Sequence, residues 1–82
     1  AIGGSNFANF CVTEILGEAV KMKAPKIILI HNHPSGDPTP SRQDILTTKR
    51  MKEAGEFLGI PLCDHIIIGD QTYLSFREEH MM

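Results

Sequence analysis

Two histidines, His31 and His33, stand one residue apart; after an interval of seven residues come Ser41 and, two residues further, Asp44. Two imidazole nitrogens and a carboxylate oxygen are ligand types that zinc accepts, and three protein ligands leave a fourth position open, the arrangement of catalytic rather than structural zinc sites. A metal held this way lowers the pKa of its water to about 7 and polarises a carbonyl. Iron, manganese and nickel tolerate the same ligands. Each residue also has a plainer reading. A histidine at a strand end is commonly just hydrogen-bonded. Ser41-Arg42-Gln43-Asp44 approximates a capping box, with Ser41 as N-cap and Asp44 at N3. The readings are compatible, because a carboxylate has about four lone-pair sites and can serve a helix start and a cation together.

The surrounding elements decide whether these groups can meet. Thr13 is a candidate cap for a helix over roughly 14–23, with Ile15, Leu16, Ala19 and Val20 as its apolar stripe and Pro25 ending it. Lys26 to Ile30 is a continuous, β-branched run, expected to be a fully buried central strand. Residues two apart on a strand share a face, so His31 and His33 would converge at its carboxyl end, where open α/β sheets hold ligands. Asn32 to Pro40, with three prolines and a glycine, cannot be regular structure. Ser41 starts a second helix over about 42–58, with Ile45, Met51, Ala54 and Leu58 near one face and Gly59 as its stop. Pro61 to Ile68 reads as a strand, Gly69-Asp70 as a turn, and Thr72 to Phe76 as a last strand in which Tyr73 and Phe76 pack. Ala1 to Asn9 reads as an entering loop or strand remnant. The order describes one α/β domain of 82 residues, helices covering a small mixed sheet.

Composition narrows the function classes. With 41% hydrophobic and 22% charged residues, the chain is ordinary for a globular protein. No apolar run approaches the roughly 18 residues of a membrane span, and no signal peptide opens the sequence. Net charge is −2. Lys21, Lys23 and Lys26, and Lys49, Arg50 and Lys52, read as solvated helix surface, so direct nonspecific DNA binding by this chain is not expected. Cys11 and Cys63 form no Cys-x-x-Cys pair and read as buried or half-buried thiols in a reducing, cytoplasmic setting.

A chance match to the combined spacing is on the order of one in a million per start position. His31-Asn32-His33-Pro34-Ser35-Gly36-Asp37, followed by Pro38-Thr39-Pro40-Ser41 and Asp44, is similar to the JAMM motif of the MPN-domain metallopeptidases. The wording of that loop, with Asp64-His65-Ile66-Ile67-Ile68-Gly69 downstream, most resembles the bacterial RadC family, from about Val12 to Phe76. The resemblance implies a cytidine-deaminase-like three-layer α/β/α sandwich. It implies a zinc held by His31, His33 and Asp44, and a Ser41 that helps stabilise the oxyanion. Family members of established activity cleave isopeptide bonds to ubiquitin-like proteins; RadC-like proteins carry a DNA-repair name and have no settled substrate. A deaminase would want His-x-Glu and Cys-x-x-Cys, and both motifs are missing.

One departure from the family pattern stands out. The family also uses a glutamate, from a strand before the first helix, that takes a proton from the activated water. Nothing before Glu14 supplies it, and Glu14 and Glu18 fall within the first helix. The start at Ala1 suggests an N-terminally truncated piece lacking its first strands. The expectation is therefore a zinc-dependent amide or isopeptide hydrolase in the longer protein, with a peptide or protein substrate, and weak or no turnover by these residues alone. The alternative is a catalytically silent binding module of a RadC-like protein associated with DNA repair. A missing strand would leave a sheet edge through which two copies could pair.

Overall fold

The computed structural model describes residues 11–82; the reading of Ala1 to Asn9 lies outside them. Helix α1 (Val12–Lys21) leads to strand β1 (Ile27–Asn32), helix α2 (Arg42–Leu58), strand β2 (Leu62–Ile68) and strand β3 (Tyr73–Ser75). The sheet order is β1-β2-β3; β1 and β2 run parallel, with α2 as their crossover, and β3 is antiparallel to β2. This is a small α/β fold with a mixed three-stranded sheet, as the alternation of elements predicts.

Helix α2 keeps its predicted bounds because both of its ends are set locally. The Ser41 side chain accepts from the Asp44 amide while the Asp44 carboxylate accepts from the Ser41 amide, and Gly59 closes the helix at φ 79° in the left-handed region. Helix α1 departs from expectation. It begins two residues before the predicted start, with Cys11 at the N-cap and no side-chain cap, so Thr13 is a helical residue and not a cap. Val12, at the first position of the helix, is partly buried against the core.

The core is the cluster of Leu16 from α1, Met51 from α2 and Leu62 from β2, joined by Val12, Ile15, Ile27, Leu29 and Ala54. Both helices thus meet the sheet face that carries Ile27 and Leu29. The opposite face of β1 presents Ile28 and Ile30, 54% and 56% exposed. Strand β1 is therefore neither fully buried nor central among the described residues, contrary to the reading of its apolar run. A continuous β-branched sequence shows that both faces can be covered, not that they are.

The buried face of α2 also differs from the hydropathy reading. Asp44, Thr47, Thr48, Met51 and Gly55 point inward, while Ile45 and Leu58 are nearly half exposed. On α1, Val20 is half exposed. Of the two aromatic residues at the last strand, Phe76 is fully buried and Tyr73 is exposed, its hydroxyl donating to Glu78.

The β1–α2 loop is fastened to the β2–β3 turn. His33 donates its amide to the Ile68 carbonyl at 2.9 Å, and Asp70 donates to the Gly36 carbonyl at 2.7 Å. Gly36 sits at φ 88°, where a side chain is strained. At Gly69 a Cβ would collide with the Gly36 carbonyl and with Pro38. No helix of the described residues is long and apolar enough to cross a membrane.

Candidate metal centre

Three elements deliver three side chains to one point. His31 is the fifth residue of β1 and shares the helix-facing side of that strand with Ile27 and Leu29. His33 follows one residue beyond the strand end, and the two rings lie 5.0 Å apart between centroids. Asp44, in the first turn of α2, is 1% exposed. One ligand atom from each of His31, His33 and Asp44 lies within 4.8 Å of the others, close enough for all three to hold one metal ion.

The contacts around these atoms define the chemistry. His33 Nδ1 is 2.9 Å from the Asp37 carbonyl oxygen, which can only accept, so Nδ1 carries the proton. In neutral His33 the Nε2 lone pair then faces Asp44 Oδ2 at 3.1 Å. His31 Nε2 lies 3.5 Å from Asp44 Oδ1. Lone pairs turned toward a carboxylate repel it unless a proton or a metal ion stands between them. Asp44 Oδ1 is buried and has no hydrogen-bond partner among the described residues. A buried acceptor left in that state costs about 1–3 kcal/mol. A cation at the convergence of the three groups removes that cost, so the residues fit a divalent metal of the zinc type.

Electrostatics favour the ligating forms. Burial lowers the His31 pKa, against the opposing pull of Asp44, so the imidazole is held neutral. For Asp44, burial pushes the pKa up, but the Ser41 backbone and side chain, with both imidazoles, outweigh it and hold the carboxyl below its ordinary value. The capping box therefore does not compete with ligation. It anchors Oδ2, the oxygen that His33 Nε2 also approaches, and leaves Oδ1 turned toward His31.

Ser41 sits where the sequence puts it, at the α2 N-cap, with its hydroxyl oxygen 3.0 Å from the Asp44 amide. Asp37 is occupied by a turn: its Oδ1 accepts from the Thr39 amide at 3.0 Å and from the Thr39 hydroxyl at 2.7 Å. Glu14 and Glu18, like every other glutamate of the described residues, are exposed. Cys11 is exposed, contrary to the reading of a buried thiol, Cys63 is half-buried, and both are free. An open depression of about 310 Å³ lies beside His33, lined by the β1–α2 loop together with Gly69 and Asp70.

One residue at the centre has no individual role in the spacing of the motif. His65 of β2 is fully buried, with Nε2 2.9 Å from His31 Nδ1 and its ring stacked on Phe76 at 4.7 Å. Burial, then the neighbouring His31, push its pKa down to about 4, so it is neutral near pH 7. Thr48, one turn after Asp44, reaches the other ring nitrogen. Their meeting depends on a contact across 34 residues, set by the parallel β1–β2 register that no local pattern shows.

Comparison with known proteins agrees with this geometry. The family model described as RadC-like JAB domain matches residues 1–81. A UPF0758 protein of Enterococcus faecalis is 63% identical over 67 residues, covering 82% of this chain and 29% of that protein. A UPF0758 protein of Carboxydothermus hydrogenoformans is 53% identical over 81 residues, covering 99% of this chain and 36% of that protein. One from Clostridium perfringens is 52% identical over 80 residues, covering 98% and 35% respectively. The chain thus spans about a third of the length of the curated relatives it matches. With the family model spanning nearly every residue and relatives more than half identical across almost the whole chain, the protein belongs to the RadC family of JAB domains.

Proposed function

We propose that the protein is the metal-binding part of a zinc-dependent hydrolase that cleaves amide or isopeptide bonds. The observation that carries this reading is the convergence of His31, His33 and Asp44 within 4.8 Å. When bound, the zinc supplies an activated water and polarises the scissile carbonyl. The residues of the chain do the rest. His31, His33 and Asp44 hold the ion and leave a fourth position open. Ser41, kept at the helix start by its capping box, offers a hydroxyl to the oxyanion of the substrate. The depression beside His33 gives an extended peptide a way in. The family's three-layer cytidine-deaminase-like sandwich is the frame we infer for the complete fold. Its third layer and a further strand would cover the exposed Ile28 and Ile30 face and the outer edge of β1, or a second copy would pair there. Two free thiols suit a reducing cytoplasm.

Amide cleavage also needs a proton carried to the leaving nitrogen, and a positioned acid–base group contributes about 10²–10⁴-fold. Asp44 is committed to the metal and Asp37 to its turn. We infer that a glutamate from a longer protein takes this role, and that these 82 residues bind zinc but turn over peptides poorly. The exposure of every glutamate among the described residues favours a second reading, a catalytically silent binding module of a protein associated with DNA repair.

Metal analysis of protein purified without chelator tests the first step. One zinc per chain is expected, lost in His33→Ala; full zinc content in that variant overturns the assignment. Peptidase turnover of these residues against the full-length protein, at equal zinc occupancy, separates the two readings. Activity only in the longer protein supports the hydrolase with an external base, and activity in neither supports the silent module.

A further inference from the structure

The contacts behind His31 form a directed chain. The Thr48 hydroxyl donates to the Asp44 carbonyl at 2.8 Å, the turn-to-turn bond available to a helical threonine. A hydroxyl has one proton, and a carbonyl oxygen can only accept. The second Thr48 contact, to His65 Nδ1, must therefore run the other way, with the imidazole N–H donating to the hydroxyl oxygen. His65 is fully buried, which disfavours its charged form, and a neutral ring protonated at Nδ1 has a bare Nε2. That bare nitrogen is 2.9 Å from His31 Nδ1, which must then carry the proton between them. With its proton on Nδ1, neutral His31 presents the lone pair of Nε2 toward Asp44 Oδ1, 3.5 Å away.

We propose that His65, backed by Thr48, is a positioning residue that fixes His31 as its Nδ1–H tautomer, so that Nε2 is the nitrogen offered to the metal. This rests on the reading of His31, His33 and Asp44 as the metal site, and adds to it the device that sets one ligand's tautomer. His33 reaches the same tautomer through the Asp37 backbone carbonyl. The two imidazoles are thus aimed by different means, one from an exposed loop and one from a buried side-chain relay. The relay begins and ends at Asp44, whose carbonyl accepts from Thr48 and whose carboxylate faces His31. Stacking on Phe76 holds the His65 ring in the plane the relay needs.

The test has one readout without metal and one with it. Long-range ¹H–¹⁵N correlation spectra of metal-free, labelled protein, at a pH where its imidazoles are neutral, should show His31 and His65 both protonated at Nδ1 and bare at Nε2. A His31 protonated at Nε2 overturns the proposal. Zinc affinity, measured by competition with a chromogenic chelator, should fall about 10–100-fold in His65→Leu and in the near-isosteric Thr48→Val. His65→Gln should recover most of that loss, because its amide can accept from His31 and donate to Thr48. A Thr48→Val protein that melts as the wild type does and binds zinc as tightly, with an unchanged His31 tautomer, also overturns it. If His65→Leu does not fold, the wild-type tautomer and Thr48→Val still decide. Wild-type protein that takes up no zinc defeats the metal reading itself; normal uptake with unaffected variants defeats only the role of His65.

Discussion

The two halves of α2 bury the same helix face in opposite ways. Over its first two turns the inward residues are Asp44, Thr47 and Thr48, polar groups met respectively by Ser41, by the Gln43 side chain, and by His65 together with the Asp44 carbonyl. Beyond them the inward residues are Met51, Ala54 and Gly55, which meet Leu16, Leu62 and the chain around Ile60. At the first end, burial is tolerable only because nearly every polar atom has a partner. At the second, apolar area removed from water provides the stabilisation, and Gly55 lets the backbone at Ile60 come so close that a Cβ would clash. One helix thus carries a candidate ligand at its start and is a core element at its end. The hydropathy pattern announces only the second function.

If that division is real, substitutions at the two ends should fail differently. The largest expected effect is at the polar end. Asp44→Ala removes one of three ligands and should lower zinc affinity by more than the 10–100-fold typical of residues behind the ligands. The metal-free form should lose only the capping contribution, about 0.5–2 kcal/mol. Chelator competition and urea melts of the same sample give both numbers. A metal-free variant as unstable as a core truncation would break the comparison. At the apolar end, Met51→Ala should cost about 2–5 kcal/mol in urea unfolding of the metal-free protein while zinc stoichiometry stays at the wild-type value.

Asp64 sharpens the contrast, because it is a well-satisfied carboxylate outside the metal centre. It accepts from Ser75, from the His65 amide and from the Arg77 amide. Its burial acts to raise the pKa, but those hydrogen bonds outweigh it and hold the carboxyl below its usual 3.8. A carboxyl whose folded pKa is depressed contributes stability above its unfolded value and loses it as pH falls through the folded value. Asp64→Asn should therefore cost about 1–3 kcal/mol near neutral pH. The gap to wild type should close as pH falls below about 3.8, while near neutral pH the variant and the wild type should bind zinc equally well. A gap that widens on acidification would reverse the sign of this account. The smallest effect belongs to Ser41→Ala, about 0.5–2 kcal/mol of stability through the lost cap. In an active full-length form, loss of an oxyanion donor would add about 10²–10³ in turnover, so equally small losses in rate and stability would leave Ser41 only as a cap.

The division also explains which parts of the molecule were legible in the sequence. Helix α2 could be bounded to the residue because Ser41 and Gly59 act on neighbouring amides and need no tertiary partner. His31, His33 and Asp44 could be picked out as a group because a metal site of the kind proposed constrains residue type and spacing together, and the structure brings the three within 4.8 Å. The inward face of α2 could not, since Ile45 and Leu58 look like core and Thr47 and Thr48 do not. Thr48 turns inward to meet the buried His65 and the Asp44 carbonyl, contacts absent from hydropathy. The exposure of Ile28 and Ile30 was equally hidden, because a strand's own residues do not say what lies over them. His65 was visible only as a letter in a motif, since its contact with His31 exists through strand register alone.

The tight junction between Gly69 and the Gly36 carbonyl has a consequence for how relatives of this chain are compared. Any side chain at position 69 must push the β1–α2 loop away from the turn, and the loop carries His33. Such a substitution would leave both histidines, the serine and the aspartate in place, so an inventory that counts motif letters would score the protein as intact. The candidate metal centre would nevertheless lose the alignment of His33 with His31 and Asp44. A glycine outside the spacing of His31, His33 and Asp44 is therefore a further position to compare among relatives, because its loss would disturb the candidate site without touching any candidate ligand.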